Sequence, residues 1–279
     1  MIEKKSMLCP NCRKLISKDE PSCPYCGMAR PGVLWKRNWA GIFATDHFDP
    51  TVMILSVNVV FYLFSLLINP SALGLSANPM TFLSPSDASL FLIGATGTLP
   101  IAYGRWWTLV SASFLHGGIL HLFFNMMALR QLAPFVLDAF GLHRFLILYL
   151  WTGIAGFSLS CFAGIPFTIG ASASICGLIG AILYYGKSRG GYYGGAIYRQ
   201  AMGWVLGLAL FGLFLPGINN WAHGGGIVSG LLLAFWIGYH EQKTETALHR
   251  IVGTGSVLIT AAILLWALVQ TGYHLTVSS

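Results

Sequence analysis

Seven stretches of the chain are apolar on all sides rather than along one stripe. They lie near 51–68, 115–136, 144–163, 170–186, 200–216, 221–239 and 251–271. Crossing a bilayer takes about 20 mostly apolar residues, and helices apolar all round belong in membranes or in large cores. The pattern therefore predicts an all-α polytopic membrane protein with seven spans. Residues 69–106 read as a long loop rich in Pro, Gly, Ser and Phe. Its pieces "ASLFLIG" and "LPIAYGRWW" are apolar and aromatic, which predicts a loop lying partly in the outer interface. "RGGYYGGAIYR" reads as a flexible connector between the fourth and fifth spans, and "HEQKTETALHR" as a polar link to the seventh.

Composition agrees: 55% of the residues are hydrophobic and 9% charged, against roughly a quarter charged in soluble domains. The net charge of +7 would suit nucleic acid, but its placement argues otherwise. Lys4, Lys5, Arg13, Lys14, Lys18, Arg30, Lys36 and Arg37 all precede the first span. Arg144, Lys187, Arg189, Arg199, Lys243 and Arg250 fall in alternate loops, and the opposite loops hold little beyond Arg105. This positive-inside pattern predicts a cytoplasmic N-terminus and a C-terminus outside, and no nucleic-acid partner. The first apolar run begins near Thr51, behind a charged, cysteine-rich head, which is not the pattern of a signal peptide.

That head reads "CPNCRKLISKDEPSCPYCG", with Cys9, Cys12, Cys23 and Cys26 in two CxxC pairs. Two such turns can aim four thiolates at one tetrahedral centre, which suits Zn²⁺. The prolines and Gly27 favour the tight turns. Two disulfides are the alternative, disfavoured in a reducing cytoplasm. Four protein ligands leave no open position, so the zinc would be structural, supplying folding energy on the order of 10 kcal/mol. The segment resembles the small zinc ribbons at the start of many bacterial membrane proteins. Partner binding in the cytoplasm and regulation are both open as its role. Cys161 and Cys176 lie in apolar spans and read as packing residues.

Polar side chains inside spans are costly, and each is a functional candidate. The second span opens "FLHGGILHLFFNMMALRQ", with His116, then His121 and Asn125 four apart on one helical face. The fourth opens "IGASASICGLIGA", holding Ser172 and Ser174, and the sixth "NNWAHGGGIVSG", holding His223. With the N-terminus inside, these three spans run outside to inside, so their first turns share one depth. A lone serine in a span usually bonds back to a carbonyl one turn earlier, and a lone His or Asn often joins helices. Coincidence of three segments at one depth is harder to explain as packing. A serine nucleophile needs a base within hydrogen-bond reach, and His223 is available. Asp87, far along the loop, is the only outer carboxylate on offer, so the expectation is a Ser–His dyad rather than a triad. Asn125, His121 and the Ser172 amide can donate to a developing oxyanion.

Here the chain resembles the rhomboid intramembrane serine proteases. Their second span carries a histidine followed by H-x-x-x-N, here His116 and "HLFFN"; their fourth carries G-x-S-G, here "GASA"; their sixth carries A-H-x-x-G-x-x-x-G, here "AHGGGIVSG". The third-span run "RFLILYLWTGIAG" is also similar to the family. The resemblance implies Ser172 as nucleophile, His223 as general base, His121 and Asn125 as oxyanion donors, and His116 as a structural or water-organising residue. Gly226 and Gly230, four apart on one face, would let the sixth span approach the fourth. Ser172 and Ser174 lie about 200° apart around a helix, so only one can face His223. Ala173, Cys176 and Thr108 depart from the family pattern, where a glycine, an aromatic ring and the arginine of a Trp-Arg pair are usual.

The resemblance also implies a layout: a zinc-ribbon-like segment at 1–32, a linker at 33–50, a six-helix rhomboid core at 51–240, and a link plus seventh transmembrane helix at 241–279. The expected activity is cleavage of transmembrane segments of other membrane proteins near their outer ends, within the lipid bilayer. The expected location is the bacterial inner membrane. A catalytically inactive rhomboid-like protein that binds or escorts clients is the alternative; such proteins usually lack the serine or the histidine, and both are present here. A transporter would predict paired charges or broken helices near mid-membrane, which the sequence does not offer.

Overall fold

The computed structural model describes residues 6–9, 12, 14–17, 20–28, 49–72, 74–75, 82–214 and 217–277. Most of the predicted 33–50 linker, and the basic residues 30, 36 and 37, lie outside them.

The head is a small hairpin: β1 (Ser6–Leu8) pairs antiparallel with β2 (Leu15–Ser17), Met7 opposite Ile16. Among the described residues its buried core is Cys9, Ile16, Cys23 and Met28, with Met7 packed beside them. So small an apolar cluster cannot offset the entropy of ordering the segment by itself.

Helix α1 (Pro50–Ile68) opens the membrane core. Asp49 caps it by accepting from the Thr51 amide at 2.8 Å, and proline takes the first position, where no N–H is needed. The long loop then folds into a hairpin of β3 (Gly74–Leu75) and β4 (Phe82–Ser84) and three short helices, α2 (Asp87–Ile93), α3 (Thr98–Ala102) and α4 (Thr108–Ser111). Six long helices follow: α5 (Ile119–Phe140), α6 (Leu142–Phe162), α7 (Ser172–Arg189), α8 (Gly191–Phe214), α9 (Asn220–Ile237) and α10 (Ala247–Val277).

All seven predicted runs are thus helical. Helices α1, α5, α6, α8 and α10 are long and apolar enough to cross a membrane, with mean hydropathy from 1.3 to 2.3 over their best windows. The protein is an all-α polytopic membrane protein. Helix α7 falls short in apolarity through Lys187 and Arg189 in its last turn together with its serines and glycines, and α9 through Asn220, His223 and its glycines. Helix α7 is the hub: thirteen of its eighteen residues are buried. A helix wrapped by its neighbours needs no apolar face toward lipid.

Two boundaries depart from the pattern. Helix α5 begins at Ile119 rather than 115, because Gly118 stands in an extended conformation ahead of it, so His116 precedes the helix. The glycine-rich stretch expected to be a loose connector is instead helical from Gly191. Its glycines serve contact: a Cβ on Gly194 would lie 2.7 Å from the Gly186 carbonyl oxygen, and one on Gly186 would lie 2.7 Å from the Tyr198 nitrogen. Backbones approach this closely only where side chains are absent.

The polar link before α10 is tied to the turn between α5 and α6. Glu245 Oε1 accepts from the amides of His143 (2.9 Å) and Arg144 (3.1 Å), capping the start of α6, while Oε2 meets His143 Nδ1 at 3.0 Å. The Arg144 guanidinium is fully buried and donates to the carbonyls of Lys243 and Thr244 at 2.9 and 2.8 Å. Burial by itself would raise the Glu245 carboxyl. The hydrogen bonds from the His143 side chain and the Arg144 amide outweigh it and hold the group below its ordinary value. A carboxyl depressed in the folded state stabilises at neutral pH, and that contribution fades as pH falls through its folded value. Glu245→Ala is expected to cost about 2 kcal/mol, seen as a lower thermal midpoint in detergent at pH 7. The gap to wild type should narrow in acid.

Candidate active site

Three segments, α5 with its lead-in, α7 and α9, bring the predicted polar residues to one end of the bundle. Ser172 is the first residue of α7, and His223 stands in the first turn of α9. Ser172 Oγ and His223 Nε2 are 2.9 Å apart. Both side chains are half-buried, in contact with each other yet within reach of a ligand. His223 Nδ1 is buried and has no hydrogen-bonding partner among the described residues, so no carboxylate backs the imidazole. Asp87 sits instead at the start of α2, on an apolar groove with Phe91, Leu99 and Phe167.

Close helix packing creates the Ser–His contact. A Cβ on Gly226 would lie 2.2 Å from the Ala173 carbonyl oxygen, and one on Gly230 would lie 2.0 Å from that of Gly177. Gly156 on α6 and Gly180 on α7 do the same work from other sides, against Ala222 O at 2.6 Å and Ile227 O at 2.1 Å. Ser174 points elsewhere. It is fully buried beside Gly153 and Ser113, with no hydrogen-bonding partner among the described residues.

His121 lies on the other side of the serine. Its Nδ1 accepts from the Gly117 amide at 3.3 Å, which leaves Nε2 as the protonated nitrogen. That Nε2 rests against Gly170, where a Cβ would come within 2.8 Å. Gly170 holds φ +123°, a conformation open to glycine, and so lets the imidazole edge reach the serine turn. Asn125 is buried and donates Nδ2 to the His121 carbonyl at 3.0 Å, leaving its second N–H for another acceptor. Ala171, the residue ahead of α7, supplies no side-chain cap, so the first amides of α7 keep their hydrogens. His116 is fully buried with its ring centroid 5.1 Å from that of His121, and neither ring nitrogen has a partner among the described residues.

The three residues that depart from the family pattern are all buried. The extra methyl of Ala173 packs against Gly156, where a Cβ would come within 3.1 Å of it. Cys176 is buried against Gly226, too short to cover the imidazole as a ring would. Thr108 is fully buried and donates to the Arg105 carbonyl at 2.6 Å. Arg105, three residues earlier, stacks over Trp107 at 4.9 Å and Phe91 at 4.5 Å and donates to the Phe91 and Leu92 carbonyls at 2.5 and 2.9 Å. Burial draws its guanidinium down from the ordinary arginine value.

At the other end of the chain, the four head cysteines form a second centre. Their Sγ atoms all lie within 4.8 Å of one another. Cys9 and Cys26, and likewise Cys12 and Cys23, are 3.7 Å apart. A disulfide would need about 2.05 Å. A tetrahedron with metal–sulfur bonds of about 2.3 Å has edges near 3.8 Å, so the thiols fit a metal ion.

Residues 103–240 match the rhomboid domain model. YdcA of Bacillus subtilis is 32% identical over 140 residues, covering 49% of this chain and 70% of YdcA. The chain belongs to the rhomboid family. Its other relatives include Rhomboid protease GluP of Bacillus subtilis, 35% identical over 156 residues, and RHOMBOID-like protein 5 of Arabidopsis thaliana, 34% identical over 159 residues. The matches cover 56% and 55% of this rhomboid, but only 31% of GluP and 51% of RHOMBOID-like protein 5.

Reading the sequence gave no role to several contributors in this rhomboid: Gly117 and Gly170, which orient and admit His121, the facing glycines Gly156 and Gly180, and Asn219 ahead of α9. Asn219 carried a local signal as an N-cap residue type just before a helical run, and Gly170 as the first residue of GASA. Gly156 and Gly180 depend on which helix lies opposite.

Proposed function

We propose that this rhomboid is an intramembrane serine endopeptidase that cuts transmembrane segments of other proteins near their outer ends. The observation that carries the reading is the 2.9 Å contact between Ser172 Oγ and His223 Nε2 in a bundle of apolar helices. Ser172 Oγ attacks the scissile carbonyl carbon while its proton passes to His223 Nε2. The oxyanion that forms is met by the Ser172 amide, His121 Nε2–H and the free amide hydrogen of Asn125. His223 then protonates the departing amine; a water attacks the acyl carbon, giving a proton to the same nitrogen, which returns it to Ser172 Oγ as the acyl–oxygen bond breaks. Gly226 and Gly230 hold α9 against α7 so that this relay stays in reach.

The basic residues Lys187 and Arg189 close the end of α7 opposite Ser172. Together with the basic head they support a cytoplasmic N-terminus, a catalytic end toward the outside, and the C-terminus of α10 outside. The membrane is the inner membrane of a bacterium. Reconstitution with a single-span substrate in vesicles tests the reading. Products should map to the outer third of the span, and cuts confined to the substrate's soluble part would contradict it.

The head holds one structural Zn²⁺ on Cys9, Cys12, Cys23 and Cys26. Purified protein is expected to contain close to one zinc per chain. Cys12→Ser with Cys23→Ser should release it and expose the head to protease, while Ser172 still reacts. Less than half an equivalent in the wild type, with intact thiols, would rule the site out.

A further inference from the structure

The Ser–His pair is carried by two segments far apart in sequence, and one side chain joins them. Asn219 stands four residues before His223 and forms the N-cap of α9. Its Oδ1 accepts from the Ala222 amide at 3.0 Å, and its carbonyl accepts from the His223 amide at 3.1 Å. Its Nδ2 uses both hydrogens, one to Ser160 Oγ at 2.6 Å and one to Thr168 Oγ1 at 2.9 Å. Ser160 is fully buried near the end of α6. Thr168 stands four residues before Ser172, in the extended lead-in to α7. That lead-in is held on its other side as well: Thr168 and Thr96 exchange backbone hydrogen bonds of 2.7 and 3.1 Å, and the Gly170 amide donates to Ala112 O at 2.9 Å.

We propose that Asn219 is a positioning residue for the Ser172–His223 pair, joining the helix cap before the histidine to the lead-in before the serine. The inference rests on the dyad reading above. Capping needs only an acceptor, which serine supplies. Bridging needs a group that also reaches the two hydroxyls. A carboxamide does so by donating, and a carboxylate would do so by accepting from Ser160 and Thr168. The substitutions therefore separate a cap from a bridge.

The test is steady-state cleavage of a single-span substrate by full-length protein in detergent, read as kcat and KM beside the thermal midpoint. Serine is the substitution of choice because it keeps the cap, whereas Asn219→Ala would remove cap and bridge together. Asn219→Ser should lower the midpoint less than Asn219→Ala does yet lose about 10²-fold in kcat, with KM little changed, as displacement of reacting groups by about 1 Å does. Ser160→Ala with Thr168→Ala should reproduce that loss, and Asn219→Asp should recover most of it. Wild-type kcat in Asn219→Ser, or Asn219→Asp no better than Asn219→Ser, would overturn the bridge and leave the dyad standing. Undiminished cleavage by Ser172→Ala would instead remove the dyad, and the bridge with it.

Discussion

Ser172→Ala is expected to lower cleavage of a transmembrane substrate on the order of 10⁶-fold, the scale seen when a serine nucleophile is removed from an otherwise intact site. Ser174→Ala, two residues on, should leave cleavage within about twofold of wild type, since the hydroxyl it removes makes no net contribution of more than about 1 kcal/mol. The contrast follows from geometry. Ser172 Oγ meets His223 Nε2 at 2.9 Å, whereas Ser174 is buried against Gly153 and Ser113. Initial rates of product formation, with folded protein verified by its thermal midpoint, measure both. Equal losses at the two positions would mean that packing of α7, not nucleophilicity, was being measured.

The second large effect is expected at Gly226. A methyl there would sit 2.2 Å from the Ala173 carbonyl oxygen, backbone against backbone, with no flexible side chain to give way. Helices α7 and α9 must part to admit it. Overpacking of this kind costs about 1–3 kcal/mol, and the same displacement separates Ser172 from His223. Gly226→Ala should therefore lower the thermal midpoint and cut kcat by about 10²-fold. Gly224 is a control on the same helix, since nothing lies within 4 Å of a Cβ there. Gly224→Ala should be close to neutral in stability.

Much of the core was legible in the sequence because lipid forces it to be. Backbone groups in a bilayer must be satisfied within a helix or barrel, so seven apolar runs translate directly into seven helices. The HLFFN, GASA and AHGGG segments could be placed on one another because spans two, four and six run in the same direction. What stayed hidden depends on contacts between distant segments. The Gly191–Gly195 stretch reads as a linker because glycine breaks helices in water, yet here it lets α8 lie against α7. Arg105 reads as a lone loop charge, and only the fold brings its guanidinium onto the Phe91 and Leu92 carbonyls. Glu245 looks like an ordinary charged link residue until it is found capping α6, a hundred residues earlier in the chain. Asn219 shows half its role in sequence, as a cap. Its two other partners, Ser160 and Thr168, lie more than fifty residues upstream.

The proposed nucleophile is Ser172, activated by His223. The most direct measurement is reaction of the purified full-length protein in lipid with a serine-directed fluorophosphonate, the adduct being located by peptide mass spectrometry. One adduct is expected, on Ser172, absent from Ser172→Ala and from His223→Ala. Folded wild-type protein that takes no label, or label carried by Ser174 or retained in His223→Ala, would contradict it.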